Sequence, residues 1–179
     1  PFTHANPCGR IMSKDLKNTS GDDFKDAIEL MFFAYRDFIA DPDAILAAHD
    51  FGRAHHRVLH FVAGSPGISI ADLLEILRVT KQSLARVLRE LIDGHYIEQR
   101  IGANDRRKRL LFLTAKGSAL HEKLLAPQEA RFEAVLEAIG AEAFAQWKKT
   151  MRLMINRQDR ENVDNLITSS RAARDMTTE

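Results

Sequence analysis

Apolar side chains recur at helical spacing at Phe24, Ile28, Met31, Tyr35 and Phe38, with Phe32 and Ile39 widening the stripe. The pattern predicts a first helix that ends at Asp41-Pro42, because proline disfavours helix at the residue before it. A second helix is predicted from about Phe51 to Ala63 and is stopped by Gly64-Ser65-Pro66-Gly67. Ser69-Ile70-Ala71-Asp72 has capping-box spacing and opens a short third helix to about Arg78. Thr80 is the N-cap of a fourth helix, with Leu84, Val87, Leu88 and Leu91 on one face and Gly94 closing it.

The period then changes. Tyr96–Ile101 and Leu110–Leu113 read as two short strands joined through Gly102-Ala103-Asn104-Asp105 and a basic run, a hairpin with a long tip. Thr114 caps a further helix carrying Leu120, Leu124, Phe132, Val135 and Ile139, kinked or broken at Pro127. Gly140 separates it from a helix with Phe144, Trp147, Met151 and Met154. The expected class is mainly α with a small β-hairpin wing, a winged helix-turn-helix flanked by N- and C-terminal dimerisation helices. The expected organisation is a flexible arm (1–21), an N-terminal helix (22–48), the winged domain (49–117), C-terminal helices (118–160) and a polar tail (161–179).

A helix-turn-helix lays its second helix in the major groove, where outward side chains near the N-terminus reach base edges. The outward candidates are Lys81, Gln82, Ser83, Arg86 and Arg89. Gln suits adenine and Arg suits guanine, while Ser83, Thr80 and Ser69 at helix starts suit phosphate. Charge changes the picture more than composition does. The whole chain carries only +1, yet Arg78 to Lys116 holds ten bases against four acids, while the remainder holds 16 bases against 21 acids. Positive charge gathered into one element is the footprint of phosphate binding. Asp105, Arg106, Arg107, Lys108 and Arg109 at the hairpin tip complete the candidate DNA-binding set.

From Ile68 to Gly117 the chain resembles the multiple-antibiotic-resistance regulator (MarR) family. The run Asn104-Asp105-Arg106-Arg107-Lys108-Arg109-Leu110-Leu111-Phe112-Leu113-Thr114-Ala115-Lys116-Gly117 is similar to that family's wing. Thr80-Lys81-Gln82-Ser83-Leu84-Ala85-Arg86 matches the start of its recognition helix, and Leu91-Ile92-Asp93-Gly94-His95-Tyr96-Ile97 matches the exit into the wing. The resemblance implies a homodimeric regulator of transcription, more often a repressor, that binds a pseudo-palindrome in double-stranded DNA. It implies that Asp105 orients the wing tip and that Arg107 enters the minor groove. It also implies release by a small aromatic or phenolic effector.

Three inputs for such a switch are open in the sequence. Tyr35, Arg53, His56 and His60 offer polar groups for an apolar effector pocket. His56 and His60, at i and i+4, offer a metal pair with His49 and His55 nearby, but without the Cys/His pattern of a closed site, so no metal ligand set and no cofactor is assigned. Cys8 offers a thiol for oxidation. An enzyme finds no nucleophile triad, phosphate loop or carboxylate pair here. A winged-helix protein-interaction module would leave four consecutive basic residues, Arg106 to Arg109, without a role. Residues 1–14 have no apolar run of a signal peptide, nothing approaches a membrane span, and a lone cysteine excludes an intrachain disulfide. A cytoplasmic protein with no membrane partner is the expectation.

Overall fold

The computed structural model describes residues 21–102 and 105–175. The expected arm, apart from Gly21, and with it Cys8, lies outside these residues. In chain order the elements are α1 (Gly21–Ala47), α2 (Arg53–Gly64), β1 (Ile68–Ser69), α3 (Ile70–Leu77), α4 (Lys81–Asp93), β2 (Ile97–Ile101), β3 (Arg109–Leu113), α5 (Ala115–Met154), a 3-10 turn (Arg157–Asp159) and α6 (Arg160–Asp175). The chain divides into two compact units between Ala40 and Asp41. In the first, α1 exposes Phe24, Ile28, Leu30, Met31, Phe32, Phe33 and Tyr35 at 41–69%.

The second unit is built around one core. The last turns of α1 contribute Pro42 and Leu46, α2 contributes Val58, Leu59 and Val62, and α3 contributes Leu73. Leu84, Val87, Leu88 and Leu91 come from α4, Ile97 and Leu111 from the sheet, and Leu120 and Leu124 from α5. The sheet is antiparallel with strand order β1-β3-β2. Ile97 pairs with Leu113 and Ile101 with Arg109, while β1 adds Ile68 opposite Leu111. The hairpin is therefore as expected, but the third strand is only two residues long, too short to leave an alternation in the sequence.

Two proline expectations need correction. Pro42 does not end α1, which continues to Ala47; its ring is fully buried, and that packing offsets the lost hydrogen bond. Pro127 lies inside α5 without leaving helical torsions, and the break falls at Gly140 alone (φ 79°, ψ 164°), a conformation that needs glycine. The reversal brings Phe132 onto Trp147 at 5.4 Å and onto Phe144 at 6.1 Å. The polar tail is corrected as well, since α6 occupies Arg160–Asp175 and packs on α2.

The β2–β3 hairpin and the start of α5 are locked at one point. Thr114 receives the N–H of Gly117 on Oγ1 at 3.0 Å and gives its own N–H to the Tyr96 carbonyl at 3.1 Å. A Cβ on Gly117 would stand 2.0 Å from that same carbonyl oxygen, so the entry to β2 and the start of α5 approach as closely as glycine allows. Gly117→Ala is expected to destabilise the fold by about 2–3 kcal/mol, the cost of overpacking against backbone that cannot retreat. A urea unfolding midpoint unchanged from wild type would refute this close approach.

Candidate nucleic-acid interface

The helix-turn-helix is built from two capped helices and a left-handed corner. Ser69 caps α3 by accepting the Asp72 N–H at 3.2 Å and donates its hydroxyl to the Asp72 carboxylate at 2.7 Å. Arg78 closes α3 with φ +51°, its N–H bonded to the Leu74 carbonyl. Thr80 then caps α4 by accepting the Ser83 N–H at 3.2 Å, and its hydroxyl donates to Ser83 Oγ at 2.8 Å. With Leu84, Val87, Leu88 and Leu91 buried, the helical period leaves Lys81, Gln82, Ser83, Arg86 and Arg89 exposed. Ser69 differs from the others. It is 7% exposed, and its hydroxyl both donates to and accepts from Asp72 in capping α3.

At the far end of α4 the left-handed residue is His95 (φ +60°), not Gly94, which keeps right-handed torsions. Gly94 is needed there for proximity: a Cβ would meet the Tyr96 ring at 3.0 Å and the Glu90 carbonyl at 3.1 Å. Lys116 Nζ donates to the Gly94 carbonyl at 2.8 Å and lies 4.2 Å from the Tyr96 ring centroid. At the wing tip, the Asp105 carboxylate accepts the Arg107 N–H at 2.9 Å, and Lys108 N–H bonds the Asp105 carbonyl at 3.0 Å. Arg109 donates to the Arg106 carbonyl at 3.0 Å. Asp105 thus spends its charge on tip geometry, while the five side chains from Asp105 to Arg109 are all exposed.

Not every base in the positive segment is available. Arg78 pairs with Asp159, Arg100 with Glu98 while lying over Phe112, and Arg86 lies 4.0 Å from Glu90. Arg109 and Lys116 have no acid partner but donate to backbone carbonyls, whereas among the described residues Lys81, Arg89, Arg106, Arg107 and Lys108 have neither an acid partner nor a side-chain hydrogen bond. They sit on α4 and on the wing tip and nowhere else in the segment.

The sequence sets His55 only beside a candidate metal pair and does not show its structural role. Its Nδ1 accepts the Gly52 N–H at 3.1 Å, which leaves Nε2 to donate to the Glu90 carboxylate at 2.6 Å. Stacked on Phe51 at 4.5 Å and 7% exposed, His55 is a polar tie from the start of α2 to the recognition helix. The period of α2 could have shown it, since His55 shares a face with Val58, Leu59 and Val62.

The four histidines grouped in the sequence separate in space. His49 bonds the Tyr96 hydroxyl through Nδ1 at 3.1 Å and joins His55 in an aromatic cluster with Phe51. His60 instead meets His121 of α5 at 5.8 Å between ring centroids. Among the described residues no three or more His, Cys, Asp or Glu side chains are grouped to hold a metal ion. Of the effector candidates, Tyr35 belongs to the first unit and is 48% exposed. Arg53 pairs with Asp43 at 2.9 Å, and that same carboxylate acts electrostatically on half-buried His56.

A MarR-family model matches residues 49–108, the span from α2 to the wing tip. The HTH-type transcriptional regulator PetP of Rhodobacter capsulatus is 47% identical over 135 residues, 75% of this chain and 81% of that protein. The chain belongs to the MarR family. Solved MarR-family folds superpose on it at low identity. The DNA complex of S. aureus MepR has a TM-score of 0.58 at 19% identity, covering 71% of this chain and 94% of MepR. NadR in complex with 4-hydroxyphenylacetate has a TM-score of 0.60 at 22% identity, covering 70% of this chain and 91% of NadR. Among the described residues of this MarR-family chain, no helix is long and apolar enough to cross a membrane.

His56 provides a check on this arrangement. Burial foremost, then the like charge of His60, holds it below its usual value of 6.5; Asp43 pulls upward and Arg57 pushes further down. A histidine kept neutral in the fold binds protons more readily once unfolded. The stability this lends is present above the ordinary value and is lost as pH falls through the folded one. Urea midpoints measured from about pH 7.5 to about pH 5 should fall, and His56→Gln should flatten that fall. Identical slopes for the two proteins would mean that His56 is solvated.

Proposed function

We propose that this MarR-family chain is a sequence-specific regulator of transcription, a homodimeric repressor that binds a pseudo-palindrome in double-stranded DNA. The observation that carries this reading is the placement of the five unpartnered bases. Lys81 and Arg89 flank Gln82, Ser83 and Arg86 on the exposed face of α4, and Arg106, Arg107 and Lys108 crown the wing. In this reading α4 lies in the major groove, where Gln82 and Arg86 read base edges and Lys81 and Ser83 hold phosphate. The wing tip, its geometry set by Asp105, delivers Arg107 to the adjoining minor groove, where negative potential is concentrated.

Dimerisation is supported by apolar surface that a monomer rarely keeps. The first unit presents the aromatic stripe of α1, and separately α5 exposes Trp147, Met151, Leu153 and Met154 at 38–67%. A two-fold pair of reading heads requires an inverted repeat, with half-sites about one helical turn apart. Fold and family favour a binding protein over an enzyme, working in the cytoplasm where the DNA is.

Selection from a randomised duplex pool tests the proposal directly. An inverted repeat is expected to emerge, and Arg107→Ala should weaken its binding by about 1–3 kcal/mol, the scale of one groove contact. Recovery of no preferred sequence, or full affinity in Arg107→Ala, would count against the regulator reading and against the wing contact respectively.

The proposed effector is a small aromatic acid of the kind that NadR holds, taken up by Arg53, His56 and His60. The Asp43–Arg53 pair supports it, because a ligand carboxylate can replace Asp43 on the guanidinium. Calorimetry with 4-hydroxyphenylacetate should show binding that Arg53→Ala weakens at least about tenfold. Equal heats for wild type and variant would place any effector elsewhere.

A further inference from the structure

The segment after α5 turns back onto the DNA-reading half. Ile155 leaves the helix in an extended conformation, and Arg160 fixes the corner by donating to the carbonyls of Ile155 at 3.0 Å and Leu153 at 2.6 Å. Arg152 pairs with Asp164 across the same corner. From there α6 meets the winged domain at two places. At its far end the Ser170 hydroxyl lies 2.8 Å from where a Cβ on Gly64 would stand, so α6 and the end of α2 touch without room for a side chain. At its near end the Asp159 carboxylate, only 18% exposed, pairs with the Arg78 guanidinium. Between the two contacts runs an open cleft of about 460 Å³, bordered by Ile76 of α3 and by Val163 and Leu166 of α6.

Arg78 is no ordinary surface base. It is the left-handed residue at the corner between α3 and α4, a backbone conformation rarely held outside glycine and costly to leave unsupported. Its charge belongs to the positive segment and would be read as a phosphate contact. Its side chain instead reaches back to Asp159, eighty-one positions along the chain. Arg78 and Asp159 themselves border this cleft, so the ion pair ties the corner to the C-terminal segment beside α3.

We propose that Arg78 and Asp159 are a positioning pair: the C-terminal helix sets the corner of the helix-turn-helix, and through it the angle at which α4 meets DNA. The proposal rests on the DNA-binding reading above. In that role Arg78 contributes orientation and neutralises no phosphate. Asp159, which cannot bind a polyanion, matters as much as Arg78.

The test uses the full chain, a duplex that the wild type selects from a random pool, and a random-sequence duplex. Arg78→Ala and Asp159→Ala should each weaken the selected duplex about fivefold, and the double variant should be no weaker than either, since both remove one interaction. Binding to the random duplex and the salt slope should stay at wild-type values, because no phosphate contact is lost. The exchanged pair Arg78→Asp with Asp159→Arg should recover to within about twofold of wild type, aspartate being tolerated in the left-handed corner. If the exchanged protein unfolds at a lower temperature than wild type, Arg78→Lys serves instead and should keep most of the affinity. The proposal is overturned if Asp159→Ala tightens binding and steepens the salt slope, as a released phosphate ligand would. Additive single losses, or no loss in Asp159→Ala, overturn it equally. A wild type that selects no duplex sinks the regulator reading itself, whereas a wild type that selects one isolates the fate of the pair.

Discussion

The leucine face of α4 is the constraint on which the rest depends. Leu84, Val87, Leu88 and Leu91 are buried, each worth roughly 1.5–3 kcal/mol of transfer from water. That sum exceeds anything the exposed polar face could gain by turning inward. Burial therefore fixes rotation about the helix axis, and with 3.6 residues per turn it fixes which side chains face out. Lys81, Gln82, Ser83, Arg86 and Arg89 are presented as a consequence of where the leucines go. His55 adds what hydrophobic burial lacks, a direction. Its two ring nitrogens bind partners on two different elements, and a one-turn slip of α4 would leave the buried Nε2 donor without Glu90.

Much of this was legible in the sequence because it is local. The caps Ser69, Thr80 and Thr114 act on N–H groups three residues on, and the leucine row is a period of one helix. The hairpin follows from two short strand-like runs and the polar connection between them. What escaped reading depends on partners far along the chain. Pro42 looks like a helix end until its ring is seen in the core; the helix then tolerates it. Pro127 looks like a breaker as Gly140 does, and the contact of Phe132 with Phe144 and Trp147 across Gly140 shows that the expected break there is the one the chain uses.

The candidate site shows the same division. The set of exposed bases was readable from charge and period, yet which of them remain unneutralised was not. Arg78, Arg100 and Lys116 count toward the positive segment on paper, but Asp159, Glu98 and the Gly94 carbonyl occupy them. Ser69 was placed with the DNA-facing residues because a helix N-terminus suits phosphate, and in the fold it is a buried cap of α3. The histidines were grouped by proximity in sequence, but residues 49 and 55 face the Tyr96 cluster while His60 faces α5. α6 was invisible for a different reason: its apolar residues are few, and much of what attaches it is polar.

Pairing Arg78, Arg86 and Arg100 with acids inside the fold sharpens the field that remains. A chain of net charge +1 would be a poor ligand for a polyanion if its bases were spread evenly. Here Lys81, Arg89, Arg106, Arg107 and Lys108 are confined to α4 and the wing tip, the elements proposed to face DNA, while acids outnumber bases over the remainder of the sequence. Phosphate repels those other surfaces and attracts these, so a duplex approaching by diffusion is turned toward the reading face before any base is touched. Internal ion pairs such as Arg78–Asp159 and Arg100–Glu98 then act twice over. They hold backbone corners and strands in place, and they remove stray positive charge that would otherwise let DNA settle in unproductive orientations.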